Sequence, residues 1–185
     1  MALTKVIGSG IGTVTNQFAD ANMSAGSVLQ SKVAMLKVTH SQTANSFADL
    51  PSLSIDITPN SSNSIMILRM YIQGGSDASA SFRFTRQITG DSAIIPNIPA
   101  TDSNRSGVHA RIGRLPQDDE NHFSGAVSAV VTDEPNTTSL VTYKVQSRAQ
   151  NNITLYINRS ENYADVTDTY GNRTVCSLEV TEIAG

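Results

Sequence analysis

From Val28 onward the chain alternates between apolar and polar residues with a period of two. Lys32 to Thr39 sets Ala34, Leu36 and Val38 on one face, and Leu53, Ile55 and Ile57 alternate with Ser54, Asp56 and Thr58. The same pattern returns in Phe82, Phe84 and Ile88, in Val127, Ala129 and Val131 behind Phe123, and in Val141, Tyr143 and Val145. It closes with Ile153, Leu155 and Ile157, then Cys176, Leu178 and Val180. Successive side chains of a strand point to opposite faces, so each run predicts a strand with one buried side. Turn-forming clusters such as Pro59-Asn60-Ser61-Ser62-Asn63 separate the runs.

Ser64 to Gln73 departs from simple alternation. Met66, Leu68, Met70 and Ile72 line one side, while Ile65, Ile67 and Tyr71 line most of the other. Its length and flanking turns favour a strand over a helix, and two apolar faces predict a central position. We expect Ile65, Ile67 and Tyr71 to face another copy of the chain around a three-fold axis.

About eight strands at this spacing predict an all-β fold, an antiparallel β-sandwich of jelly-roll type. Two segments stand apart. Residues 90–121 hold Pro96, Pro99, Gly107, Gly113 and Pro116 with little alternation beyond a short strand near Val108 to Ile112. Residues 1–27 carry Gly8, Gly10, Gly12 and Gly26 with scattered apolar residues, too few to fold alone. The expected organisation is therefore an extended docking arm over 1–27 and a sandwich head over 28–185.

Composition sharpens this picture. The charged fraction is only 16%, and Ser, Thr and Asn fill the gap, favouring turns and sheet surfaces over helix interiors. Net charge is −3 and the 13 Lys and Arg are dispersed along the chain, so no phosphate-tracking stripe is visible and nucleic acid is not an expected partner. No apolar run approaches the roughly 18 residues of a membrane span. The opening residues lack the apolar core of a secretory signal, so folding in a cytoplasm is expected.

Candidate chemistry is thin. Gly8-Ser9-Gly10-Ile11-Gly12 fails the dinucleotide spacing, since Thr13 stands where the third glycine is due. His40, His109 and His122 show no metal-ligand spacing, although His109 and His122 flank Asp118, Asp119 and Glu120. Cys176 sits on the apolar side of its strand and reads as a packing residue. Glycan cleavage would need a carboxylate pair; Asp118, Asp119, Glu120, Asp133 and Glu134 are the candidates, all in turn-like contexts. We expect no enzyme, no cofactor and no metal. Tyr163 and Tyr170 are the loop aromatics best suited to contact a receptor sugar.

A family resemblance adds to this reading. Leu53-Ser-Ile-Asp-Ile-Thr-Pro-Asn-Ser-Ser-Asn-Ser-Ile-Met-Ile-Leu68 resembles the I-T-P-S-S-x-S-K-I-L-V segment of marine phage structural proteins, the tail-fibre-like virion proteins of cyanophages and pelagiphages. Thr142-Tyr143-Lys144-Val145-Gln146, Ile157-Asn158-Arg159-Ser160 and Leu178-Glu-Val-Thr-Glu-Ile-Ala-Gly185 are similar to that pattern, as is the opening Met1-Ala-Leu-Thr-Lys-Val6. The chain departs at Asn63-Ser64, where the family has Ser-Lys. The resemblance implies a trimeric sandwich head on a virion. The expected role is a tail-fibre or appendage protein, bound to other virion proteins through residues 1–27 and displaying its head toward a host-surface glycan. The alternative is a capsid decoration protein that clamps the head.

Overall fold

The computed structural model describes residues 23–43, 45–76, 78–103, 106–113, 124–160 and 173–185. They form ten strands: β1 (Val28–Leu36), β2 (His40–Gln42), β3 (Ala48–Ile57), β4 (Ile65–Gly75), β5 (Ala80–Ile88), β6 (Ala110–Ile112), β7 (Gly125–Asp133), β8 (Val141–Ala149), β9 (Leu155–Ile157) and β10 (Cys176–Ile183). All pairings are antiparallel.

One sheet runs β1-β10-β4-β7, and the second runs β3-β8-β5-β6. The chain thus swings between layers in the wrap of a jelly roll. The short β2 and β9 pair with each other and join the first sheet at the end of β4. There Gly74 pairs with Gly125 of β7 and with Ile157 of β9, so β9 takes the edge of β4 that β10 leaves. A side chain at Gly74 would collide with the backbone oxygen of Tyr156, which explains why this crowded position is glycine.

The core is the inward half of the alternation. Met66, Leu68, Met70 and Ile72 of β4 and Leu178 and Val180 of β10 face Phe82 and Phe84 of β5 and Val141, Tyr143 and Val145 of β8. Each such side chain contributes roughly 1.5–3 kcal/mol of burial. Strand β4 is central, as its two apolar sides predict.

Two details break the simple period. In β3 both Leu50 and Leu53 are buried, three residues apart. A register shift against β8 between Asp49 and Ser54, with Ser52 at φ 61°, resets the alternation so that both point inward. At the other layer, β1 ends at Leu36, and Val38 is 64% exposed rather than sharing the inward face with Ala34 and Leu36. The buried Asn158, at φ 60°, donates from its Nδ2 to the carbonyls of Leu36 and Val38 and so holds the chain where it leaves the strand.

The flank where the layers meet is tied by side chains. Gln30 Nε2 donates to Thr58 O at 2.9 Å, and Lys32 Nζ donates to Asp56 O at 2.7 Å, both from β1 onto the end of β3. Glu182 is buried at the same end and accepts from Gln30 Nε2, Asn60 N and Ser64 Oγ. Residues Gly26 and Ser27 exchange backbone hydrogen bonds with Ala184, fastening the start of the head to its last strand. Residues 1–22 of the expected arm lie outside the described residues. Part of the expected long loop returns along β5, with Arg86 and Ile94 exchanging backbone hydrogen bonds.

Candidate functional site

The outward half of the alternation differs between the sheets. On the first sheet the register lines up rows across four strands: Ser31-Thr181-Ile67-Thr132, Val33-Glu179-Arg69-Val130 and Met35-Ser177-Tyr71-Ser128. Residues opposite each other share a face, so Ile65, Ile67 and Tyr71 all point away from the core. Ile65 and Ile67 are half-buried and Tyr71 is 43% exposed, beside Val33 (55%), Met35 (49%) and Val130 (61%). Arg69 and Glu179 pair at 3.0 Å amid this apolar surface. The Tyr71 hydroxyl donates to Gln73 Oε1 at 3.2 Å. The three residues that the sequence marks for an interface therefore lie together on one open face.

The second sheet turns charge outward. Ser81 pairs with both Arg148 of β8 and Arg111 of β6, which sets Arg148, Ser81 and Arg111 in one row. Arg83, one step along β5, lies opposite Gln146 and donates from Nε to its Oε1 at 2.9 Å. The Arg83 and Arg148 guanidiniums lie 3.9 and 4.9 Å from the centre of the same ring, Phe47. Burial, then the like charge of Arg148, weakens the hold of Arg83 on its proton. Beside this row opens a cleft of about 540 Å³, lined by Asn45, Ser79, Ser81, Ser106, Arg111 and Arg148 among others. None of these residues stands out in the sequence, because only strand register brings Phe47, Arg83, Arg111 and Arg148 together. The one available signal is that arginines fill outward positions of β5, β6 and β8.

The candidate catalytic residues serve structural roles where they are described. Asp133 does not lie in a turn: it ends β7, is buried, and accepts two hydrogen bonds from Arg86 (2.8 and 3.0 Å) and one from Tyr143 (2.7 Å). Burial, reinforced by the Asp133 charge, pushes the Tyr143 phenol far above its ordinary value and keeps it a donor. Glu134 is exposed, and its backbone carbonyl accepts from Arg86. His109 accepts from Phe84 N through Nδ1 and meets Pro96 O through Nε2 at 2.8 Å. Burial lowers its pKa against the opposing pull of the Pro96 carbonyl, and because Nδ1 accepts from a backbone N–H, Nε2 is the donor. Burial likewise lowers His40 and raises the Cys176 thiol. Cys176 is wholly buried, and its thiol meets Asn158 Oδ1 at 2.9 Å.

Among the described residues no three His, Cys, Asp or Glu side chains gather to hold a metal. Asp118, Asp119, Glu120, His122, Tyr163 and Tyr170 lie outside the described residues. No protein-family model matches the chain, and no curated protein sequence matches it.

Proposed function

We propose that this chain is a non-enzymatic structural component of a phage particle, a trimeric appendage protein whose head is displayed outward. The observation that carries this reading is the open apolar face of the first sheet, with Ile65, Ile67, Tyr71, Val33, Met35 and Val130 on one surface. A monomeric sandwich gains nothing from apolar residues on an outer face. A second copy seated there would bury them, and a heterologous contact whose rotation is one third of a turn closes into a ring of three. The marine phage resemblance supports three copies and a virion setting. The fastening of Gly26 and Ser27 to Ala184 supports the docking role of residues 1–27, because it makes the arm leave the head from a fixed point on the same sheet.

Sedimentation equilibrium tests the association directly. The expected mass is three times the 19.7 kDa chain. The Ile67→Lys variant should shift it to a single chain without altering the β-type circular dichroism. A single-chain mass for the unaltered protein at all concentrations overturns the reading. Gel quantification against the major capsid protein then tests the appendage role, which requires few copies per particle; near-stoichiometric amounts would make it a capsid decoration protein.

A further inference from the structure

We propose that the cleft bearing Arg111 and Arg148, with Arg83 on the adjacent outward row, binds an acidic saccharide: a sugar carrying a carboxylate or sulfate group. Three guanidiniums lie on this part of the second sheet, and among the described residues none is in an ion pair. Asp49, a carboxylate on this face, is already engaged by Lys144 Nζ at 2.8 Å and Gln146 Nε2 at 2.7 Å. Burial alone would raise Asp49, but those two hydrogen bonds and the Lys144 charge hold it below its ordinary value. It is committed as an anion to another cation.

Like charges held close without a counterion cost free energy, and a bound anion would recover it. The local framework maintains that arrangement. Phe47 fixes two of the guanidiniums, Gln146 takes Arg83 Nε, and Ser79 Oγ accepts from Arg111 Nη2 at 2.7 Å. Each guanidinium has five N–H donors, so most remain to grip a planar carboxylate or a sulfate.

The rest of the lining decides between kinds of anion. Asn45, Ser79, Ser81, Ser106 and Gln150 supply amides and hydroxyls suited to the hydroxyl groups of a sugar, and Val108 adds a small apolar surface. The volume of about 540 Å³ falls within the roughly 300–1,000 Å³ of small-molecule sites. A nucleic-acid backbone would need a longer basic track than this single row. The inference does not rest on the assembly reading, because the cleft lies on the opposite sheet and the two assays fail separately.

Isothermal titration of the full chain with galacturonate tetramer, sulfated galactan tetramer and neutral galactotetraose tests it. At least one acidic tetramer should bind, and the neutral one should not. Arg148→Ala and Arg111→Ala should each weaken binding about tenfold or more while lowering the melting temperature by only about 2–4 °C, which leaves the protein folded at the titration temperature, and Arg148→Lys should lose less binding. Equal binding of the neutral tetramer, no binding of either acidic tetramer, or affinity indifferent to both arginines overturns the proposal. Inorganic sulfate binding as tightly as the sulfated tetramer would also overturn it, reducing the cleft to a free-anion site. An Arg148-dependent preference for duplex DNA over both acidic tetramers would do the same.

Discussion

The two outer faces of this sandwich come from the same alternating pattern and carry opposite chemistry. Across β1, β10, β4 and β7 the outward rows interleave valine, methionine, isoleucine and tyrosine with serine and threonine around one Arg69–Glu179 pair. Across β8, β5 and β6 they hold arginine, lysine, glutamine and serine. The inward rows of both sheets are equally apolar, so the fold itself does not require the difference. Period two specifies which residues are free of the core, and the identity of those residues sets what each face can meet: one suits another protein surface, the other a hydrated anion.

The strongest way to break the comparison is to uncouple the layers that carry the faces. Asp133 of the first sheet grips Arg86 and Tyr143 of the second, with side chains only 7% and 15% exposed at Asp133 and Arg86. Asp133→Ala would strand a nearly buried guanidinium and should cost about 3 kcal/mol in urea unfolding. A loss under about 1 kcal/mol would mean that Arg86 finds solvent instead.

A smaller effect sharpens the charged face alone. Phe47→Ala removes the ring that positions Arg83 and Arg148 and should cost about 1 kcal/mol, from two cation–π contacts of roughly 0.5–1 kcal/mol each. The mass of the assembled species should not change. If it did, the two faces would be energetically linked.

Acid gives the gentlest test. The pKa of His109 is lowered from 6.5 by burial, so the unfolded chain takes up the proton first. Its contribution is complete above about pH 6.5 and is lost as pH falls from there toward the folded value. The melting temperature should therefore decline over that range, and His109→Gln should flatten part of the slope. His40, which burial shifts the same way, contributes to the remainder. An unchanged slope in His109→Gln would show that the ring is protonated without penalty.

Much of the fold was legible because β3, β4, β5, β8 and β10 each have enough residues for period two to show. Strand β2, only His40 to Gln42, has no room for a period and was invisible. The end of β1 was misplaced because the pattern through Val38 continues after the backbone has turned away, held by Asn158 from more than a hundred residues downstream. For the sites the contrast is similar. Ile65, Ile67 and Tyr71 share one strand and could be read together. Phe47, Arg83, Arg111 and Arg148 sit on or beside four different strands, and their meeting depends on registers that no local pattern encodes.

The flank where Gln30 and Lys32 reach the carbonyls of Thr58 and Asp56 has a consequence for crowding. Along that same border β3 carries Pro51, which has no N–H to offer, and the kink at Ser52. A neighbouring chain would find acceptors already occupied and a donor missing, so it could not extend the second sheet by zipping alongside. Many copies can therefore stand shoulder to shoulder without polymerising into ribbons along this border.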